Sequence, residues 1–393
     1  MAIRLGNKAE GQDFFDRVTE REDIWRFLES NHLLLSGPRR LGKTSLLQRL
    51  AEEAEAKQFL PQLVDVEGID SVEAFISAID QAFPEKTVSH YLKKVSGLIK
   101  NVSKVNVGLP GGFSGGIEIQ AKPDTSWAEA ASHLQTRLSA VPTMIFIDEF
   151  SVFLEKLIDR DINGAVKLLG WIRAWRMSSG LACRFIFSGS ISLNSLLDRH
   201  GLITYFNDCY DYKLGPFRLT AALEMLKEQA KNENWQGEAQ VFEHLCQRTG
   251  WLSPFYLNLL LSETLSAARD RELEEGLNNR KLQISDIDDG YHRLLATRSR
   301  FSHWYKRLER DLNTQDFAFV RILLAAVAKP DTGLTRKQLS SRLQRVESDP
   351  DQRSIRLDSL LLKLEEDGYI SLEGQRIQFL SFLLRDYWRR NHG

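Results

Sequence analysis

The sequence predicts an α/β fold built on a parallel sheet, and three observations carry that prediction. Short apolar runs that read as strands alternate with segments of helical periodicity through the first 217 residues. The first run ends in a glycine-bounded turn, SGPRRLGKTSLL, at residues 36–47. A later run, TMIFIDEF at 143–150, ends in two acids.

HLLLSG (32–37) reads as a buried strand feeding the turn, and the helix formers from Thr44 to Lys57 read as the helix that follows it. LVDVEGID (63–70) is a second strand, and 71–83 a helix with Ser71 as its cap. Residues 87–123 mix β-branched residues with five glycines between 108 and 116, which predicts two short strands around a Gly-rich turn. That hairpin is a surface insertion or a partner-contacting one. Residues 124–141 are helical, 143–150 a third strand, 151–180 helical, 182–190 a fourth strand and 210–217 a fifth. Alternation of this kind predicts helices on both faces of the sheet. Beyond 217 the strands stop: 218–312 reads as a helical lid and linker. Residues 313–393 read as three helices and a two-strand wing, a winged-helix pattern.

Composition bounds the function. The chain has 393 residues, 42% hydrophobic and 27% charged, which suits two or three globular domains. A formal net charge of −1 excludes a basic nucleic-acid coat. The three cysteines, Cys183, Cys209 and Cys246, are far apart and form no C-x-x-C pair, which argues against a disulfide framework or a zinc site. No apolar signal core opens the chain and no run of about 18 apolar residues occurs, so a cytoplasmic protein with no membrane span is expected.

Gly37-x-x-x-x-Gly42-Lys43-Thr44 is the spacing of a phosphate-binding loop, here between a strand and a helix as such a loop requires. Gly37 and Gly42 let the backbone turn close to an anion. Pro38, Arg39, Arg40, Leu41 and Ser45 complete the loop, whose N–H groups would cradle phosphate with the helix N-terminus behind them. Lys43 is expected to bridge the outer phosphates of ATP, and the Thr44 hydroxyl to ligate Mg²⁺. Asp148, at the tip of an apolar strand 105 residues beyond Lys43, is the second expected Mg²⁺ ligand. Glu149, one position on, is placed to polarise the attacking water. Ser190, at the end of the fourth strand, is the favoured hydroxyl for sensing the terminal phosphate. No N-K-x-D motif follows that strand, which disfavours GTP. The expected class is therefore a P-loop NTPase, an ATPase by reaction.

FFDRVTEREDIWRFL (14–28), the phosphate loop, LVDVEG, MIFIDEF, FIFSGSISL, KLGPF and TGWLSPFYLNLL occur in an order that resembles the archaeal-type ATPase family, within the AAA+/STAND division of P-loop NTPases. The resemblance spans about residues 12–265, and a C-terminal winged helix is usual in that family. It implies that Phe14, Phe15 and Arg17 lie near the adenine. Many relatives carry Tyr-Gly-Arg before the fifth strand, whose arginine can act in trans. Here Tyr205 matches, but Phe206 and Asn207 replace the other two, leaving Arg199 and Arg218 as substitutes and oligomer-coupled hydrolysis in question. RTGWLSPF stands where relatives often have Gly-Gly-x-Pro, with Arg248 as a lid-sensor candidate.

Residues 313–393 carry 13 Lys/Arg and 11 Asp/Glu, thin for phosphate-driven DNA binding. Arg353, Arg356 and Lys363 on the third helix, Arg376 in the wing, and Arg389 and Arg390 at the end are the candidate contacts. Three readings follow: an ATP-hydrolysing switch with a protein effector, a DNA-acting AAA+ ATPase using its winged helix on duplex DNA, and a non-hydrolysing scaffold. The first is the leading expectation.

Overall fold

The computed structural model describes residues 3, 5–6, 8–99, 127–178, 183–190, 192–372 and 374–393. Its central sheet contains β1 (His32–Ser36), β2 (Leu60–Asp65), β3 (Thr143–Asp148), β4 (Cys183–Ser188) and β5 (Cys209–Lys213). All pairings are parallel and the order is β2-β3-β4-β1-β5. β4 lies beside β1, as the site required: Leu35 pairs with Ser188.

Alternation along the strands explains why both faces are covered. Leu33, Leu35, Met144, Phe146 and Ile186 belong to one apolar cluster, while Leu34, Ile145, Ile147, Phe185 and Phe187 belong to the other. Strands buried on both sides read as continuous apolar runs, and every residue of β3 is buried.

The helices of the sheet unit are α1 (Val18–Leu28), α2 (Lys43–Ala54), α3 (Val72–Ala82), α4 (Glu85–Ile99), α5 (Trp127–Leu138), α6 (Phe150–Arg160), α7 (Ile162–Met177) and α8 (Leu193–Arg199). Ser71 caps α3 as expected, accepting from the Ala74 amide at 3.3 Å. The stretch expected to be helical at 151–180 forms two helices, α6 and α7, which meet at Asp161, whose carboxylate caps α7 by accepting from the Gly164 amide at 2.9 Å. One expectation needs correction. Part of the expected hairpin at 87–123 is helical, because residues 85–99 continue as α4; positions 100–123 lie outside the described residues.

The lid and linker contain α9 (Leu219–Asn232), α10 (Ala239–Thr249), α11 (Pro254–Glu275), α12 (Ile284–Ala296) and α13 (Ser302–Asp311). The last unit contains α14 (Thr314–Ala328), α15 (Arg336–Leu343), α16 (Pro350–Glu366), the antiparallel strands β6 (Ile370–Ser371) and β7 (Gln378–Phe379), and α17 (Phe382–His392). In this unit α14, α15 and α16 precede the β6–β7 pair, and α17 follows it and places Arg389 and Arg390 on a helix. Its apolar face, with Leu383, Leu384, Tyr387 and Trp388, is buried in the same cluster as Leu33 and Leu35 of β1. One apolar core thus runs from a face of the sheet through the helices of 219–311 into the C-terminal unit. Packing does not stop at 217 or at 312.

Among the described residues, no helix is long and apolar enough to cross a membrane.

Candidate nucleotide site

The phosphate loop joins β1 to α2 at the C-terminal edge of the sheet. Gly37 has φ 138°, and a Cβ there would stand 2.7 Å from the Leu214 carbonyl oxygen beyond β5, so a side chain is excluded twice over. Gly42 takes φ 89° as the N-cap of α2. Behind it, Leu46, Leu47, Leu50 and Ala54 bury one face of α2, which fixes the helix N-terminus at the mouth of the loop.

Lys43 is 7% exposed, and its ammonium donates to the carbonyls of Gly37 at 2.6 Å and Pro38 at 3.0 Å. Burial pushes its pKa down to about 8, opposed by Glu149 and Asp148. The Thr44 hydroxyl donates to Asp148 Oδ2 at 2.6 Å, which brings the two expected metal ligands together across 104 residues. Asp148 is further fixed by the Ser188 hydroxyl and by the Glu149 amide at 3.0 Å. Ser188 lies in the same strand end as Ser190, and its inward direction follows from strand register, which spacing alone does not reveal.

Glu149 has φ 56°, a left-handed conformation uncommon for a residue with a side chain. Its carboxylate accepts from the Ser190 amide at 3.0 Å. The Ser190 hydroxyl accepts from Arg39 of the loop. Ser190 therefore binds the candidate base through its backbone and the loop through its side chain.

The two loop arginines have separate neighbours. Arg40, at φ 72°, stacks its guanidinium 4.3 Å above the Phe255 ring of α11, and its carbonyl accepts from the Ser253 hydroxyl of the lid. Arg39 is held beside Ser190, where burial and then the like charge of Arg307 lower its pKa. Pro38 meets the winged-helix unit: a Cβ on Gly368 would stand 2.7 Å from its own Cβ. A cavity of about 460 Å³ opens at that junction, walled by Pro38, Leu214, Trp251, Glu365 and Glu366 among others. Lys43, Thr44 and Asp148 do not line it.

Not every expected residue faces the loop interior. Leu41 is buried in the core, and Ser45 accepts from the Ala9 amide at 2.9 Å. Phe14 and Phe15 pack against the core, Phe15 edge-on to Phe217. Arg17, only 3% exposed, pairs with Glu20, donates to the Leu41 carbonyl at 3.2 Å and lies 4.6 Å over the Phe217 ring. It shapes the loop from behind instead of presenting a free face. Arg248 pairs with Asp288 at 3.1 Å and stacks 3.9 Å over Tyr291, so its charge is held within the lid. Arg199 is half exposed and pairs with Glu155, and Arg218 is exposed at the start of α9.

The winged-helix cations are mostly held inside their own unit. Arg353 donates to the carbonyls of Glu347 and Ser348 at 2.6 and 3.1 Å. Arg356 pairs with Asp316 and Glu347, Arg376 donates to the Thr332 and Gly333 carbonyls, and Arg389 pairs with Asp331. Lys363 is half-buried and Arg390 exposed. The exposed face of α16 shows Gln352, Ile355, Asp358 and Leu362 instead.

The residues present fit Mg–ATP. Thr44 and Asp148 form a hydroxyl–carboxylate pair suited to a hard cation. Buried guanidinium nitrogens of Arg39 and Arg307 have no hydrogen-bond partner among the described residues, which suits an anion.

No family model and no curated protein matches the sequence. Solved structures do. The Walker-type ATPase PABY2304 of Pyrococcus abyssi superposes with a TM-score of 0.65 at 18% identity, covering 99% of this chain and 100% of that one. The Aeropyrum pernix ORC2 protein, solved as ADPNP–ADP complexes, gives 0.56 at 13% identity, covering 99% and 97%. The chain shares the α/β fold of these two proteins, and the coverage runs through the C-terminal units as well as the sheet.

Proposed function

We propose that the protein is an ATP-hydrolysing switch whose C-terminal units respond to the nucleotide held in the phosphate loop. The observation that carries this reading is the assembly of Lys43, the Thr44–Asp148 pair and the Ser190-bound Glu149 at one edge of the sheet.

The residue roles follow from their chemistry. The loop amides and the N-terminus of α2 bind phosphate oxygens. Lys43 turns from the Gly37 and Pro38 carbonyls to the outer phosphates, exchanging neutral acceptors for charged ones. Thr44 and Asp148 would hold Mg²⁺, which neutralises charge on the phosphates when bound. Ser188 keeps Asp148 in the orientation that a ligand needs. Glu149 takes the proton of the attacking water, and Ser190 holds Glu149 in place for it.

The partner most in keeping with the surface is a protein effector. α16 offers the exposed apolar Ile355 and Leu362 on its outer face, Asp358 between them is paired with Arg336, and its arginines are already engaged. Phosphate-driven DNA binding requires free cations in number. ORC2 shares the fold, but at 13% identity that likeness carries no partner to this chain.

The test is ATP turnover by the purified protein, with and without duplex DNA, beside a Glu149→Gln control. Turnover that the control loses, indifferent to DNA, supports the switch. Stimulation by DNA that weakens steeply with salt would replace the protein effector with DNA. Turnover equal to that of the control would leave only a nucleotide-binding scaffold.

A further inference from the structure

Arg307 was invisible in the sequence, where HWYKRLERDL is one charged helical stretch among several. In the fold it lies on α13, the helix between the lid and the winged-helix unit, and is only 7% exposed. Its Nε donates to Asp311 Oδ2 at 2.9 Å. Its Nη2 donates to Asp367 Oδ1 at 2.9 Å and to the Ser190 carbonyl at 3.1 Å. Its Nη1 is buried and has no hydrogen-bond partner among the described residues.

The guanidinium that carries this spare donor sits on a significant neighbour through its Nη2. Ser190 binds Glu149 through its N–H, Arg39 through its hydroxyl and Arg307 through its carbonyl. Arg307 and Arg39 both lower the pKa of Lys43, so three cations share one region. A buried guanidinium N–H left without an acceptor is costly, and the nearby Nε of Arg39 is in the same state. An anion with several oxygens, set between the loop and Ser190, would satisfy both. A phosphoryl group has that geometry, and guanidinium groups bind it with paired hydrogen bonds.

We propose that Arg307 is the arginine that contacts the terminal phosphoryl group of a bound nucleoside triphosphate, supplied in cis by α13, and that Asp367 is its counter-ion in the absence of that group. This rests on the nucleotide-binding reading above. Asp367 caps the C-terminus of α16, and the next residue, Gly368, packs on Pro38 of the phosphate loop. Drawing Arg307 toward a phosphate weakens its hold on Asp367, and with it the seat of the winged-helix unit on the loop. A diphosphate lacks the group that competes.

The experiment measures binding of a non-hydrolysable ATP analogue and of ADP by calorimetry, with Mg²⁺, for the wild type, Arg307→Ala, Arg307→Lys and Asp367→Asn. Arg307→Ala is expected to weaken the triphosphate about tenfold or more while ADP changes little, the loss of a charge-assisted contact. Arg307→Lys recovers part of the loss. Asp367→Asn moves the other way, tightening the triphosphate alone, and serves as the independent arm if Arg307→Ala folds poorly. Equal losses for ATP analogue and ADP in Arg307→Ala, or a triphosphate affinity unmoved by Asp367→Asn, would overturn the proposal while leaving nucleotide binding intact. A wild type that binds neither nucleotide overturns both readings.

Discussion

The Ser190 amide donates to the Glu149 carboxylate at 3.0 Å, joining the tip of β4 to the tip of β3 across 41 residues. The bond holds a side chain whose own backbone is strained, at φ 56°. Such strain is maintained only where the surroundings fix it, and the Ser190 bond is part of that fixing. Glu149→Gln keeps the shape and can still accept from Ser190, but it cannot take a proton. ATP binding should be nearly unchanged, and turnover should fall by roughly 10²–10⁴. Single-turnover hydrolysis beside a binding isotherm checks this; full turnover in the variant would remove Glu149 from the role.

Ser188 makes a separate prediction. Its hydroxyl binds Asp148. Ser188→Ala leaves Thr44 and Asp148 in place but frees the carboxylate to turn. Loss of a partner that orients a metal ligand typically costs about 10–100-fold in metal affinity or activity. Hydrolysis measured against Mg²⁺ concentration should therefore shift to higher Mg²⁺, with turnover at saturating Mg²⁺ largely recovered. An unchanged Mg²⁺ dependence would mean that Asp148 is held well enough without Ser188.

Lys43 predicts a pH dependence whose sign can be worked out. Burial lowers its pKa from 10.5 to about 8 in the nucleotide-free protein. A bound polyphosphate favours the charged ammonium and raises that pKa again. Below about 8 the free protein already carries the proton, and this lysine adds no pH dependence. Above about 8 the proton must be taken up on binding, so affinity falls as pH rises, by at most about tenfold per unit. The thiols of Cys183, Cys209 and Cys246 are pushed up to about 12 by burial and stay out of this window. Dissociation constants for ATP between pH 7 and 10 test the slope, and Lys43→Arg, which keeps its charge, should abolish it.

The sheet and the phosphate loop were legible because their signals are local. A glycine at φ 138°, a lysine and a threonine have to be neighbours in sequence to be neighbours in space. Asp148 was legible for a different reason: an apolar strand that ends in acids places them at the sheet edge wherever it occurs. Arg307 had no such marker, since its partners are 60 and 117 residues away. The roles of Arg39 and Arg40 were equally hidden, because what they touch belongs to units that fold back onto the loop. Arg17 was read as a base contact through resemblance, yet its neighbours are Leu41, Glu20 and Phe217, a packing arrangement set by the left-handed turn at φ 62° that precedes α1. The division at Asp161 leaves no mark in the pattern, because helical periodicity continues on both sides of it.

The winged-helix unit gives the last prediction, and it separates stability from DNA affinity. Arg353 was a candidate DNA contact, but it is 9% exposed and its guanidinium closes the turn before α16 by donating to Glu347, Ser348 and Ser340. Removing it loses the charge-assisted hydrogen bonds to the Glu347 and Ser348 carbonyls, so Arg353→Ala should destabilise the fold by about 1.5–3 kcal/mol. Ile355 and Leu362 lie about two turns apart on the outer face of the same helix, 65% and 48% exposed, and Asp358 lies between them. Replacing that pair with serine should leave the melting temperature nearly unchanged, because neither side chain packs into the core. Thermal melts of both variants, with duplex-DNA binding at low salt alongside, distinguish the two surfaces. If Arg353→Ala melts like the wild type yet loses DNA affinity, the arginine is a DNA contact after all and α16 is a recognition helix. If it melts early and DNA binding is absent throughout, the helix has spent its cations on its own fold, and the outer face of α16 is left to a protein.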